Sequence, residues 1–135
     1  MANALYGLGR QAFLEGDIAW DTDTIRAVLI DTGTYTVSID VHSAYDDLSG
    51  VVGSESGAFA SKTTTLGTAD AADITFSSVS GASVEAVVIF QDVGTASVDR
   101  LIAYIDTVAS GLPVTPNGGN ITVTWDAGSD KIFTL

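Results

Sequence analysis

The chain has 135 residues, no cysteine and a formal net charge of −12, which arises from 17 acidic and 5 basic side chains. This length suits one domain with one core, and the lack of cysteine excludes disulfides, thiol nucleophiles and thiolate metal sites. The basic residues are scattered singly, so no cluster can neutralise a row of phosphates, and the net field repels nucleic acid and anionic membranes. We therefore expect neither nucleic acid nor a membrane as a partner.

The N-terminal segment predicts a helix over residues 3–15. Asn3 is the predicted N-cap, and Gly16 is the glycine predicted to end the helix. Two internal glycines weaken it by about 1 kcal/mol each relative to Ala, so docking must hold it in place. The apolar residues at three- and four-residue spacing that form the predicted docking face are Leu5, Leu8, Ala12 and Phe13.

The next third of the chain gives one firm strand and two ambiguous segments. Residues 25–30, IRAVLI, are almost continuously apolar and predict a central strand. Residues 41–48 fit either a continuing strand or a short helix. The Gly-, Ser- and Thr-rich stretch 49–68 fits a surface loop, a weak strand pair, or a flexible arm that orders on a partner.

The most apolar part of the chain predicts an antiparallel hairpin with strands at residues 84–92 and 101–106, joined by a polar connection. Its strands are apolar on both sides, whereas a half-solvated strand would alternate. The sequence leaves open whether the N-terminal helix or a neighbouring subunit covers the second face. For the case of a neighbouring subunit, the candidate interface residues are Val87, Ile89, Ile102 and Tyr104, with Trp20 as a further aromatic candidate.

The C-terminal segment predicts two more strands. Residues 120–126 alternate, with Ile121, Val123 and Trp125 pointing inward, and residues 131–135 return as the last strand after a turn at 126–130. The fold class that follows is mainly β: a small antiparallel β sandwich or barrel with one N-terminal helix, and residues 1–135 forming a single domain.

No set of residues in the sequence predicts catalysis. His42 is the one histidine, and no nucleophile motif accompanies it. Asp21 and Asp23 offer oxygen ligands for a divalent cation but lack a calcium-loop pattern, and we interpret them as turn formers that leave a bound cation open. We predict no catalytic residue, no cofactor and no enzymatic activity.

Both ends of the chain resemble small virion structural proteins of tailed double-stranded DNA bacteriophages. The middle carries no such likeness. The motifs that carry the resemblance are NALY at 3–6, GR at 9–10, FLEG at 13–16, WDTDTI at 20–25, LIAYID at 101–106, GLPVTPNGG at 111–119, ITVTWD at 121–126 and KIF at 131–133.

The resemblance implies a protein made in the host cytoplasm and located in the virion. Acidity and a small β domain favour the capsid exterior, where a decoration (cement) protein would stabilise the head through contacts with the major capsid protein or other virion proteins. Strands that are apolar on both faces suggest a homo-oligomer such as a trimer. Two alternatives are a structural protein of the tail or head–tail junction, and a small module that binds glycans on the host surface through Trp20 and other aromatic residues.

Overall fold

A five-stranded antiparallel sheet forms the centre of the structure, a computed structural model that describes residues 3–129 and 131–135. The elements are β1 (Ala4–Leu5), α1 (Gly7–Leu14), β2 (Ile25–Ile30), β3 (Val51–Val52), β4 (Thr68–Ala69), β5 (Ile74–Phe76), β6 (Ala86–Gln91), β7 (Leu101–Ile105), β8 (Ile121–Val123) and β9 (Phe133–Thr134). The sheet has the order β1-β7-β6-β2-β3, and two smaller antiparallel pairs are β4 with β9 and β5 with β8. The predicted mainly β fold with one N-terminal helix is confirmed, and the strands do not close into a barrel.

The chain itself covers both faces of the central sheet. All residues of β6 and β7 are buried. On one face, Val87 and Ile89 join a large core with Trp20, Trp125 and residues of β5 and β8. On the other face, the core contains Val88 and is closed by Tyr6 and by residues from the segment 35–51. That covering segment includes a single 3₁₀ turn, Tyr45–Asp47, so residues 41–48 are closer to the predicted short helix than to a strand.

A bulge in the central hairpin changes which face its side chains join. Ile89 pairs with Ala103 and Phe90 pairs with Leu101, so Ile102 is an extra residue in β7. Strict alternation predicts that Ile102 and Tyr104 share a face. The structure instead places Ile102 in the large core and Tyr104 in the opposite one, because the inserted residue reverses the alternation beyond it.

The helix ends where the sequence predicts but begins later. The predicted N-cap is wrong, because Tyr6 occupies that position. The side-chain oxygen of Asn3 instead accepts hydrogen bonds from the main-chain N–H groups of Asp106 (2.8 Å) and Thr107 (2.9 Å), which ties the N-terminus to the end of β7. At the other end, Gly16 has a φ of 80° and forms the predicted glycine stop, in which its N–H donates to the carbonyl of Phe13 at 3.2 Å.

The helix docks on β7 through a glycine more than through its leucines. A Cβ on Gly9 would lie 2.5 Å from the Leu101 carbonyl oxygen, so the two backbones are in direct contact. Ala12 is buried, whereas Leu8 is 40% exposed and Leu14 is 85% exposed. The predicted apolar docking face is therefore only partly buried, and Leu8 is available at the surface.

The stretch 49–68 begins as an edge of the central sheet. β3 pairs with β2, and the chain continues along β2 with main-chain hydrogen bonds from Ser56 to Ala27 and from Phe59 to Ile25, both 2.8 Å. The Phe59 side chain is buried in the large core. The first half of this stretch is thus packed on the domain, and its most exposed apolar residue is Leu66 in the turn Thr65–Gly67.

The last strand pairs with a different partner from the one the sequence suggests. A turn at 126–130 would fold residues 131–135 back onto 120–126, but β9 pairs with β4, and β8 pairs with β5. Residue 130 of the predicted turn lies outside the described residues. The inward alternation of Ile121, Val123 and Trp125 is confirmed, since all three are buried.

The contact at Gly9 makes the change Gly9→Ala informative. In an exposed helix this substitution stabilises by about 1 kcal/mol, but here the new methyl group meets backbone atoms that cannot rotate away. We expect a net loss of about 1–3 kcal/mol in the free energy of unfolding, measured by urea denaturation. Gly57→Ala is the matched control, because a Cβ there meets no atom within 4 Å. Equal stability of the two variants would contradict the docking described above.

Candidate functional site

The five residues predicted as a subunit interface lie inside the domain. The exposed fractions are Val87 0%, Ile89 0%, Ile102 0%, Trp20 4% and Tyr104 5%. The prediction of an interface at these side chains is wrong for the folded chain, because its own short strands and the segment 35–51 cover them. Those covering elements are two or three residues long, or irregular, and give no periodic signal in the sequence.

Both tryptophans are used to build the large core. The indole N–H of Trp20 donates to the Asp70 carbonyl, and that of Trp125 donates to the Ala72 carbonyl, both at 3.2 Å. The Trp20 ring also meets Phe133 edge-on, with centroids 5.2 Å apart. Neither indole is therefore available as an exposed platform on which a sugar ring would stack.

His42 ends a chain of hydrogen bonds that leads out of the smaller core. The main-chain N–H of Ser38 donates to its Nδ1 at 3.3 Å, which makes that nitrogen an acceptor. The Tyr35 hydroxyl therefore donates to the same nitrogen (2.7 Å), and the Tyr6 hydroxyl donates to Tyr35 (2.9 Å). Three side chains from different parts of the chain are joined in this way.

This network has a structural role. A catalytic relay places a nucleophile on one imidazole nitrogen and a carboxylate on the other, whereas Nδ1 of His42 is taken by a phenol and a main-chain N–H. Burial raises the pKa of Tyr6, and the hydrogen bond to Tyr35 raises it further. Burial likewise raises the pKa of Tyr35. Both phenols thus stay neutral in ordinary buffers and hold the segment around His42 on the sheet.

Asp23, just before β2, is hydrogen-bonded to other groups of the protein. The carboxylate of Asp23 accepts hydrogen bonds from the Ala19 N–H (2.8 Å) and from the Gln91 side-chain amide (2.7 Å). Its main-chain carbonyl accepts a hydrogen bond from the ammonium group of Lys62. Asp21 is exposed. Within residues 3–129 and 131–135, no group of three or more acidic or histidine side chains is placed to hold a metal ion.

A surface groove of about 300 Å³ lies between α1 and the hairpin connection and is a candidate interaction site. We call it the α1 groove. Leu8 and Val98 line it and remain 40% and 52% exposed. A carboxylate oxygen of Asp17 lies 3.6 Å from the Arg100 guanidinium at its rim. The remaining lining residues are Gln11, Ala12, Glu15, Ser43, Ala44 and Ser97.

Two segments face the helix across the α1 groove, the turn that carries Val98 and residues 43–44. Hydrogen bonds fix the conformation of both. The Asp99 carboxylate accepts from the Val93 N–H at 2.7 Å, and the Val98 N–H donates to the Thr95 carbonyl at 2.9 Å. Asp47 accepts from the N–H groups of Ser43 (2.8 Å) and Ala44 (3.0 Å), which holds the pKa of its carboxyl below the usual value. Val98 is therefore exposed on a turn whose conformation is fixed by hydrogen bonds.

Sequence reasoning missed the α1 groove for two reasons. Leu8 sits at a helical position that predicts burial, but the helix contacts β7 at Gly9 and Leu8 remains 40% exposed. Val98 lies in a connection that reads as polar. The signal that could have revealed the groove was Val98, an apolar side chain in a turn that belongs to no predicted strand or helix.

Comparison with known proteins adds no relative. No family model matches the chain, and a search of the curated proteins gives no match either. No helix in the described part of the chain has the length and apolar character needed to cross a membrane.

The environment of the four tyrosines predicts a specific alkaline behaviour. The pKa values of Tyr6, Tyr35, Tyr45 and Tyr104 are all raised, in each case chiefly by burial. Since the folded state keeps these protons more tightly, the stability from neutral phenols is full below the unfolded value of about 10 and is lost as pH rises through the folded values.

We therefore expect the near-ultraviolet absorbance of phenolate to rise only above a pH of about 10, together with the loss of the far-ultraviolet circular dichroism signal. The urea-unfolded chain is the control and should titrate near its ordinary value. Ionisation of all four phenols near 10 with native dichroism would contradict the burial described here.

Proposed function

We propose that this chain is a non-enzymatic structural protein of a tailed-phage virion, and specifically a decoration protein that attaches to the capsid exterior and stabilises the head. The observation that carries the proposal is the resemblance of both chain ends to small virion proteins. Its motifs include NALY at 3–6, LIAYID at 101–106 and GLPVTPNGG at 111–119.

The two chain ends that carry this resemblance come together in the fold. The Tyr6 N–H donates to the Ile102 carbonyl at 2.9 Å, and the rings of Phe13 and Phe133 are 6.1 Å apart. Asn3 binds the main chain just after β7. The shared motifs therefore describe one framework, and a common framework is what distantly related proteins are expected to keep while their contact surfaces diverge.

The electrostatics support the capsid exterior over the interior. A chain with net charge −12 gains nothing from contact with packaged DNA and is repelled by it. The described residues also contain no metal-binding cluster, and the histidine network holds structure together. In the proposed role, the protein stabilises the head through contacts between its surface and the capsid.

Homo-oligomers are not required by the fold. The sequence-based reason for a trimer was a sheet face left open to a neighbour, and the chain closes both faces itself. Attachment to the shell would then use outer surfaces such as the α1 groove. The glycan-binding alternative loses its main support, because Trp20 and Trp125 are both buried with their N–H groups bonded.

Copy number and location in purified particles test this proposal. A decoration protein should be present in a fixed ratio to the major capsid protein, measured by quantitative mass spectrometry, and should remain with heads after tails are removed. Particles made without it should lose DNA more readily on heating or on chelation of divalent cations. A few copies per particle, or copies found only on tails, would favour the tail alternative and overturn the capsid assignment.

A further inference from the structure

We propose that the α1 groove binds a segment of a different protein, which inserts one apolar side chain between Leu8 and Val98 and places a Lys or Arg against Glu15 and Asp17. The inference rests on the proposed function, in which the segment belongs to a protein of the phage shell. It adds the place on this chain where the partner docks and the chemistry of the partner.

The apolar part of the inference comes from the convergence of two exposed side chains. Leu8 and Val98 belong to elements far apart in sequence but line the same groove. Ala12 is buried beneath them. The other large apolar side chains that remain well exposed in the described structure do not line this groove: Leu14, Val41, Leu66, Val93 and Leu135. An inserted aliphatic group would remove both groove side chains from water at once.

The groove is also ordered before any partner binds. One wall is a helix whose Gly9 contacts β7, and the other is a turn closed by the Asp99 side chain. Ordering of loops is one of the main costs of association, so a preformed groove reduces it.

Charge decides between a second copy and a different protein. The Glu15 carboxylate is contacted by the neutral side-chain amide of Gln11 at 3.3 Å, and the Asp17 side chain remains 48% exposed beside Arg100. The rim therefore has two carboxylates against one guanidinium. A second copy would bring another net charge of −12 with only 5 basic residues, whereas a segment with Lys or Arg would complement this rim.

The test is binding of purified variants to phage heads prepared without this protein, measured by co-sedimentation at several NaCl concentrations. The variants are Val98→Asp and Leu8→Gln in the groove. Leu66→Asp is the matched control, because Leu66 is 96% exposed and lies in the turn before β4, outside the groove. Circular dichroism and thermal melts establish that each variant is folded.

We expect Leu66→Asp to bind like the unchanged protein and the two groove variants to bind at least about tenfold more weakly, the effect of losing one buried aliphatic contact. Binding of the unchanged protein should weaken as NaCl rises, since salt screens the rim charges. Equal binding of Val98→Asp and Leu66→Asp would overturn the groove while leaving the decoration role intact.

Two other outcomes are also decisive. If the unchanged protein does not bind heads at all, the decoration role and the groove partner both fail. If analytical ultracentrifugation shows that the unchanged protein self-associates and that Val98→Asp abolishes this, the occupant is a second copy, and the inference of a basic partner is wrong.

Discussion

The fold depends on one constraint: three adjacent strands, β2, β6 and β7, must be buried on both faces. Their residues are nearly all apolar, so neither face can be left to water. The other elements of the fold cover these two faces. The small strand pairs and the two tryptophans close one face, and Tyr6, Tyr35 and the segment around the Tyr45–Asp47 turn close the other. The side chains that remain accessible to a partner therefore lie outside these layers.

Polar side chains position the covering layers where apolar contact alone would leave them free to slide. Gln91 is buried and donates to Asp23, so the end of β6 fixes the turn that precedes β2. Arg26 binds Asp92 at 2.7 Å and also donates to the Ser56 carbonyl, which joins β2, the hairpin connection and the edge segment. Gln91 also donates to the main-chain carbonyl of Asp17 at 2.9 Å and accepts from Arg100 at 3.4 Å, which ties two residues of the α1 groove to the central sheet.

Much of this architecture was predictable, because local patterns in the sequence indicate it. The continuous apolar runs gave β2, β6 and β7, the alternation gave β8, and Gly16 gave the end of the helix. The bulge at Ile102 was not predictable, since one inserted residue has no compositional signature. The partners of β8 and β9 were also missed, because these strands are two or three residues long and their pairing is set by packing at a distance.

The candidate site was less predictable than the fold. Its two apolar residues come from segments about ninety positions apart in the printed sequence, and each looked ordinary by itself. The interface predicted at Val87, Ile89, Ile102, Tyr104 and Trp20 was wrong, because other parts of the same chain cover these side chains. Apolar character on two sides of a strand reveals that a cover exists, but it carries no information on whether the cover comes from the same chain.

The pairing of β1 with β7 has a consequence for how the protein is made. Ala4 and Leu5 pair with Tyr104 and Ala103, which are synthesised about a hundred residues later. β7 is also the strand on which α1 docks. During translation the N-terminal segment must therefore wait without its native contacts, and the sheet can close only late. Such long-range pairing slows folding, because a long loop must close before these contacts can form.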